Sequence, residues 1–296
     1  MKRRQFLRAA VGTASAGTVF SIYNGSTVAQ SDEAWPQSGY DASNSGHASN
    51  NTGPTTGVEQ RWVFDDLGVR GANSEPAVVG GTIYIGSPYG LYALSVDDGT
   101  VRWRFGDRTN IEFGTPAVID GTVFVGSRSE GITYALSAQD GTEQWTFEAN
   151  SESAPTVADG TVYIGTTSTL YALSAGNGSE RWRFSPRLHS LGPSSPAVSN
   201  GTVYIRSERD DLKLYALAAE DGSQEWSYEA ETNLESSPAV DDGTVYTIDR
   251  DGILYAVSTD GGSEKWTFDT LGSGSSPPRI ADGTVFVGSR GDDGVV

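Results

Sequence analysis

The chain has 296 residues, with 38 Asp and Glu against 20 Lys and Arg, two His, 37 Gly and no Cys. Its formal charge of −18 argues against a nucleic-acid partner, because binding to phosphates requires a basic surface. The absence of Cys excludes disulfides, thiolate zinc sites, iron–sulfur clusters and a cysteine nucleophile.

The first 29 residues have the features of an export signal. Arg3 and Arg4 precede a mildly apolar run at 9–19, and the small residues at 27–29 offer a cleavage site. This pattern resembles a twin-arginine export signal, here residues 1–29, and predicts an extracytoplasmic protein, secreted or at the cell surface. The apolar run is too short and too polar to cross about 30 Å of hydrocarbon, so no membrane span is predicted.

Residues 30–57 form a lead-in segment, and a sequence repeat begins at residue 58. Each complete repeat contains, in order, a Pro-Ala-Val-type strand, a Gly-Thr-Val-Tyr-Ile-type strand, an aromatic-Ala-aliphatic triplet, an Asx-Gly turn and a Trp. Successive Trp residues are 37–44 positions apart. They are Trp62, Trp103, Trp145, Trp182, Trp226 and Trp266.

Each repeat is predicted to form four short antiparallel strands. The pairs that join the first two strands, such as Asn200 and Gly201, are typical of type I′ turns, in which both central residues have positive φ. Four strands at this period indicate a β-propeller, whereas a solenoid would need a helical or long parallel pattern. The sequence therefore predicts one all-β propeller domain of four-stranded blades over residues 58–296.

About six blades are predicted, of which five are complete. A composite sixth blade would combine the N-terminal strand at 58–64 with two strands at 276–289 and a stub at 294–296, and it would close the ring and hide sheet edges. Truncation from a larger ring is the alternative, because the sequence stops where the next triplet should begin. The five complete blades cover residues 75–105, 115–147, 154–184, 195–228 and 237–268.

An eleven-residue frame recurs from the triplet to the Trp, as in Ala-Leu-Ser-Val-Asp-Asp-Gly-Thr-Val-Arg-Trp at 93–103. It resembles the tryptophan-docking motif of the pyrroloquinoline-quinone-like (PQQ-like) propeller repeat family. The resemblance implies that all six Trp residues named above dock structurally against a neighbouring blade, with the Ala leaving room for the indole. The lead-in at 35–47 is similar to that of many archaeal members, and the acidic, Lys-poor composition resembles that of salt-loving archaea.

The PQQ-like family includes quinoprotein dehydrogenases, the propeller lipoprotein of the bacterial outer-membrane assembly machinery and many secreted proteins of unknown role. We expect an exported, non-catalytic module for binding or assembly at the cell surface, with no catalytic residue, metal or cofactor. The first alternative is a PQQ-dependent dehydrogenase, for which the resemblance implies a quinone and calcium on the propeller axis. The chain has neither the Cys pair of many such enzymes nor the large insertions that cover their quinone.

A glycan-processing or glycan-binding propeller is the second alternative. Residues 95–100 and their copies superficially resemble the Asp-box of sialidases, but their Trp falls one place later and their Thr one place earlier. We interpret the Asp-Gly pairs as turns, because no segment provides the several oxygen ligands that calcium requires. For a mechanism based on His, the chain offers His47 and His189.

Arginines gather in or beside the longer loops, which join the second strand to the third and one blade to the next. Loops that vary between similar repeats are where binding function usually resides, and Arg offers bidentate geometry to carboxylate or phosphate. We therefore predict a site for an anionic small molecule, a glycan or a protein on a monomer. Pairing with nearby acidic residues is the alternative. The predicted ligand-binding residues are Arg128, Arg206, Arg209, Arg250 and Arg290.

Overall fold

A computed structural model of the chain is all-β throughout the residues it describes. Within these ranges there is no α-helix, and therefore no helix long and apolar enough to cross a membrane. Two compact units are present, unit 1 (Met1–Ser38 and Ala48–Glu148) and unit 2 (Gly39–His47 and Ala149–Val296). The described residues are 8–13, 18–25, 35–46, 58–67, 74–106, 111–149, 151, 153–186, 190–192, 194–208, 211–274 and 276–290.

Unit 1 contains one three-stranded and two four-stranded sheets, all antiparallel. Its described strands are β1 (Arg8–Thr13), β2 (Thr18–Gly25), β3 (Val58–Phe64), β4 (Ala77–Val79), β5 (Thr82–Ser87), β6 (Gly90–Ser95), β7 (Val101–Phe105), β8 (Ala117–Ile119), β9 (Thr122–Ser127), β10 (Ile132–Ser137) and β11 (Glu143–Glu148). The sheet orders are β1-β2-β3, β4-β5-β6-β7 and β8-β9-β10-β11.

Unit 2 contains three four-stranded antiparallel sheets and two short strand pairs. Its described strands are β12 (Thr156–Ala158), β13 (Thr161–Gly165), β14 (Leu170–Ser174), β15 (Glu180–Phe184), β16 (Ala197–Ser199), β17 (Thr202–Arg206), β18 (Lys213–Ala218), β19 (Gln224–Glu229), β20 (Ala239–Asp241), β21 (Thr244–Ile248), β22 (Ile253–Ser258), β23 (Glu264–Asp269), β24 (Ser273–Gly274), β25 (Arg279–Ala281), β26 (Thr284–Phe286) and β27 (Ser289–Arg290). The sheet orders are β12-β13-β14-β15, β16-β17-β18-β19 and β20-β21-β22-β23, and the pairs are β24-β27 and β25-β26.

The predicted all-β fold with five complete four-stranded blades is confirmed. The type I′ turns are confirmed as well, for example by a φ of 50° at Asn200 and of 78° at Gly201. The composite sixth blade stays a prediction, since β3 pairs with β2 and the stub at 294–296 lies outside the described residues. The strands β1 and β2 fall within residues 1–29, whose role in export also remains a prediction.

Burial explains the strand pattern within a blade. Every residue of β5 and β6 is buried, because blades are covered on both faces. The outer strand β7 instead alternates, with Trp103 buried between exposed Arg102 and half-buried Arg104. The second and third strands therefore form the core, and the fourth supplies one large inward side chain.

The Asx-Gly turns before Trp103, Trp145, Trp182 and Trp226 are held by the side chain of their own Asx residue. The Asp140 carboxylate accepts hydrogen bonds from Thr142 N at 3.1 Å and from Thr142 Oγ1 at 2.8 Å. These bonds, the Oγ1 bond first, lower the pKa of Asp140 below its usual value. Asp98 makes the same two contacts with Thr100. These carboxylates act as turn acceptors, as the turn interpretation predicts.

Within each unit, a Trp of one sheet docks on the next sheet along the chain. Each docked indole donates from Nε1 to a backbone carbonyl beside the Asx-Gly turn. In unit 1 the pairs are Trp62 to Val96 O at 2.9 Å and Trp103 to Ala138 O at 2.9 Å, and in unit 2 they are Trp182 to Ala219 O at 2.8 Å and Trp226 to Thr259 O at 3.0 Å.

Both partners of the docked indole are small residues. Within its own blade, Trp182 lies directly opposite Ala172, next to a β-bulge. On the following blade, the indole lies over Gly222, where a Cβ would come within 2.5 Å of Trp182 Cε3. Gly222 also has a φ of 72°, which glycine adopts without strain.

We expect Gly222→Ala to lower the free energy of unfolding by about 3 kcal/mol, because it combines backbone strain with a clash against Trp182. Gly201→Ala is the matched control, since Gly201 has a φ of 78° but a Cβ there meets no described atom within 4 Å. Its loss should be roughly 1–2 kcal/mol. Urea denaturation of both variants measures the difference, and equal losses would contradict a steric role for the docked indole.

Candidate functional site

Residues 35–38 of the lead-in contact first strands of sheets in unit 1, and residues 39–46 contact first strands in unit 2. In unit 1, Trp35 exchanges two backbone hydrogen bonds with Val78 of β4, at 2.6 and 2.7 Å. The Pro36 carbonyl accepts from Val118 N of β8 at 2.6 Å. Because β4 and β8 are edge strands, the lead-in takes up donors that the sheets themselves leave unpaired.

In unit 2 the lead-in forms a compact loop at 39–46, the lead-in loop. Gly46 N donates to Gly39 O at 2.7 Å, and the Asp41 carboxylate accepts from Ser45 N at 3.0 Å and Ser45 Oγ at 2.6 Å. Three loop carbonyls accept from the first strands β16, β20 and β25. The bonds are Val198 N to Ala42 O at 2.6 Å, Val240 N to Ser43 O at 2.9 Å and Ile280 N to Ser45 O at 2.8 Å.

Asn44 fixes the lead-in loop between two sheets of unit 2. It is 2% exposed and has a φ of 57°, a region that Asn adopts more readily than most residues. Its Nδ2 donates to Pro196 O at 3.2 Å and to Pro238 O at 3.1 Å, the carbonyls just before β16 and β20. One buried amide thus joins two first strands.

Arg279 completes the contacts of the lead-in loop. It begins β25, whereas β4, β8, β16 and β20 begin with Ala. Its Nη1 donates to Asn44 O at 3.3 Å, and its side chain passes so near Gly46 that a Cβ there would lie 2.2 Å from Arg279 Cδ. The residue that departs from the repeat, Arg279, is therefore the one whose side chain contacts the lead-in loop.

The structure describes the side chains of three of the five predicted ligand-binding arginines. Arg128 in unit 1 is exposed. In unit 2, Arg206 ends β17 and Arg250 lies just beyond β21, each at the end of the second strand of its sheet. Arg209 lies outside the described residues, and for Arg290 in β27 the backbone alone is described.

Arg206 is 3% exposed and pairs with Glu208, whose Oε1 lies 3.2 Å from Nη1 and 3.3 Å from Nη2. Burial lowers the pKa of Arg206, and the Glu208 charge opposes that shift. Because an unpaired buried charge is costly, Glu208 is needed to keep Arg206 in place. Arg206 is thus engaged by an acidic neighbour, which is the alternative that the sequence allowed.

Arg250 is the contrasting case. Its backbone N donates to Asn233 O at 2.8 Å, but its side chain is exposed and forms no ion pair with any described residue. Asp249 beside it is completely buried. This end of the β20–β23 sheet therefore presents a cation on a fixed backbone.

Tyrosines of the third strands hold carboxylates of the preceding loops. Asp249 accepts from Tyr255 OH at 2.8 Å, from Thr232 Oγ1 at 2.9 Å and from Ile253 N at 2.8 Å. Tyr215 donates in the same way to Asp211, and in unit 1 Tyr134 donates to Glu130 at 2.7 Å. Burial first, and then the hydrogen-bonded carboxylate, raises the pKa of each of these three tyrosines. They are therefore neutral donors that order the loops.

Within the described ranges, no group of three or more Asp, Glu or His could hold a metal ion. The buried carboxylates Asp211 and Asp249 are already held by Tyr215 and Tyr255.

Comparison with known proteins identifies the family. Residues 52–182, 131–237 and 229–296 match the PQQ_2 family model, which is described as outer membrane protein assembly factor BamB. The chain belongs to this family. The PQQ-like resemblance of the repeats is thereby confirmed. No curated protein matches the chain.

Several solved structures are similar in fold to this chain. Quinohemoprotein alcohol dehydrogenase ADHIIG from Pseudomonas putida HK5 is 18% identical, with a TM-score of 0.64 over 82% of this chain and 48% of that chain. BamB from Moraxella catarrhalis is 14% identical, with a TM-score of 0.54 over 95% and 91%. A europium-containing methanol dehydrogenase is 14% identical, with a TM-score of 0.67 over 82% and 59%. These likenesses show the fold alone, and this chain spans about half the length of ADHIIG.

Sequence reasoning missed Asn44, Arg279 and the tyrosine–carboxylate pairs. Arg279 was detectable as a charged residue at a repeat position that otherwise holds Ala or Thr. The acidic residues four or six positions before Tyr215 and Tyr255 were a second signal. Asn44 occurs in no repeat, so no periodicity could identify it.

Asn44→Gly tests the bridge between β16 and β20. The substitution permits the positive φ but removes the side-chain donor of Pro238 O and one of the two donors of Pro196 O, which keeps that of Thr156 Oγ1. We therefore expect the free energy of unfolding to fall by about 1–3 kcal/mol. Asn200→Gly is the control, because Asn200 has a φ of 50° and an exposed side chain. Its effect should stay within about 0.5 kcal/mol. Similar losses in urea denaturation would argue against the bridge.

The buried tyrosines predict a loss of stability at high pH. Because the pKa of Tyr255 is raised in the folded protein, its ionisation favours the unfolded chain. Stability should be fully present below the ordinary tyrosine pKa of about 10 and should decline as the pH rises further. Urea midpoints measured across this range should fall less steeply for Tyr255→Phe than for the wild type, and parallel curves would refute the assignment.

Proposed function

We propose that this chain is an exported, non-catalytic binding module that holds a protein or an anionic ligand at the cell surface. The observation that carries the proposal is the arrangement at the ends of β17 and β21 in unit 2. There Arg206 pairs with Glu208 and Asp249 is held by Tyr255, whereas Arg250 stands exposed. An exposed cation on a fixed backbone is suited to recognition of an anionic group.

The internal pairs explain why this end favours binding over acid–base chemistry. Asp249 is fully buried with several donors, and Arg206 is buried against Glu208. Neither Asp249 nor Arg206 is exposed to a substrate. These internal pairs hold the loops in one conformation, which reduces the conformational entropy lost on binding.

The N-terminal sequence supports the proposed location outside the cytoplasm, and family membership supports a protein partner. The PQQ_2 model is described by an assembly factor, so we favour a protein partner in an assembly. The twin-arginine pattern at 1–29 supports export. The charge of −18 suits a high-salt setting, because at about 1 M salt the Debye length is about 3 Å and self-repulsion is screened.

Arg250→Glu tests the anion-binding part of the proposal. Citrate, inorganic polyphosphate and a sulfated glycan are each titrated into the wild type and the variant by calorimetry at low salt. For a ligand that binds the wild type, the affinity of Arg250→Glu should be at least about tenfold weaker. Arg183→Glu is the control, since Arg183 is an exposed arginine on β15 whose pair with Glu180 is a surface ion pair. Equal affinities of the wild type and Arg250→Glu would show that Arg250 is not part of the binding site.

Titration with PQQ and calcium tests the non-catalytic part. We expect no quinone absorbance to remain with the protein after gel filtration. A retained quinone chromophore together with dye-linked oxidation of an alcohol or sugar would overturn the proposal.

A further inference from the structure

Arg206 stands at a repeat position that usually holds glycine. Counted from the Thr that begins the second strand of a sheet, the fifth residue is Gly86, Gly126 and Gly165 in three sheets, Ile248 in a fourth and Arg206 in β17. A Cβ at Gly86 would lie 2.3 Å from Gly114 O, just before the next sheet along the chain. One at Gly165 would lie 2.8 Å from Ser194 O. The repeat therefore leaves little room for a side chain here, yet β17 carries a long cationic one.

The guanidinium of Arg206 keeps one donor unpaired. Arg206 is 3% exposed, and its Nη1 and Nη2 both donate to Glu208 Oε1, at 3.2 and 3.3 Å. This pairing does not use Nε, which is buried and has no hydrogen-bond partner among the described residues. Burial of a donor without a partner is costly, so this N–H group favours an acceptor that comes from outside the chain.

A second buried donor belongs to the same place. Ser194 is fully buried, and its Oγ has no hydrogen-bond partner in the described part of the chain. It precedes Arg206 by the same number of residues, 12, as Ser74 precedes Gly86. In that sheet, Ser74 Oγ lies 2.9 Å from both N and O of Gly86. The repeat therefore places the Ser194 hydroxyl beside the backbone of Arg206, where the contact made at Gly86 is lost.

The chemistry of the two donors selects the ligand. Nε–H can only donate, a Ser hydroxyl can also donate, and the guanidinium carries a positive charge, so an anion is the matching acceptor. Because both residues are almost completely buried, a small ion reaches them more readily than a larger ligand. Glu208 neutralises Arg206, and the charge of Glu235 also acts on it. Binding should therefore be weak and should need a high concentration of the anion.

We propose that Arg206 Nε and Ser194 Oγ bind a chloride ion at the end of β17 in unit 2. The ion satisfies both buried donors and stabilises the folded chain by mass action, so its effect grows with chloride concentration. Arg206 then has two partners, Glu208 on the Nη side and the anion on the Nε side. This site is distinct from the exposed Arg250, and it does not rest on the ligand proposed there.

Urea denaturation of the full chain in sodium chloride and in sodium gluconate tests the site. Gluconate is a monovalent anion too large for a buried site, so the difference in urea midpoint between the two salts is compared between proteins. Arg206→Gly restores the residue that the repeat usually has and should remain folded. At about 2 M salt, the chloride-minus-gluconate difference should be larger for the wild type than for Arg206→Gly by at least about 0.3 M urea.

Two serines provide a matched pair of further variants. Ser194→Ala removes one of the two donors and should reduce the chloride-minus-gluconate difference of the wild type. Ser153→Ala changes the same repeat position in the preceding sheet, where Ser153 Oγ already donates to Gly165 O at 3.2 Å. It should leave the difference unchanged. Circular dichroism verifies that each variant is folded.

Crystals grown in sodium bromide locate the ion directly, because bromide can replace chloride and scatters anomalously. We expect an anomalous peak within hydrogen-bond distance of Arg206 Nε. Chloride binding would be refuted by a chloride-minus-gluconate difference that Arg206→Gly retains in full. A water molecule, in place of bromide, beside Nε in these crystals would refute it as well.

Discussion

The structure of each unit depends on one contact, an indole laid over a glycine of the following sheet. Trp182 shows all its parts: the Nε1 hydrogen bond to Ala219, the close approach to Gly222 and the small Ala172 opposite. The contact joins large apolar surfaces and satisfies the polar atom of the indole at the same time. Because the contact recurs, each sheet that carries a docked indole is joined to its neighbour in the same way.

The first strands impose a second constraint, since they are edges with donors that a sheet cannot satisfy by itself. Propellers can leave such edges at their centre, but here the chain covers them with its own lead-in. In unit 2 the lead-in loop covers these edges. Asn44 of the loop donates hydrogen bonds to the carbonyls of Pro196 and Pro238. The same residues that satisfy the edges thereby remove them from contact with other molecules.

The repeats made most of the fold predictable, because turn chemistry and apolar alternation are local. Asn200–Gly201 specifies its turn within two residues, and the Trp period specifies the blade. The lead-in contacts were not predictable, since Asn44 and Pro238 are 194 positions apart and no repeat contains Asn44. The loop arginines were predictable in part. The sequence indicated that Arg206 and Arg250 lie at strand ends, but their burial depends on packing, which buries Arg206 and leaves Arg250 exposed.

The pairing of Arg279 with Asn44 has a consequence for the order of folding. The two residues are separated by 235 positions, so at about 5–20 residues per second a ribosome would need roughly 10–50 s between them. The lead-in emerges before every blade, yet its last partner in unit 2 emerges after five of them. Closing so long a segment is entropically slow. Blades can thus dock one after another during synthesis, and the lead-in loop can contact β16 and β20 as they emerge. Its contacts are complete only after β25 has been made.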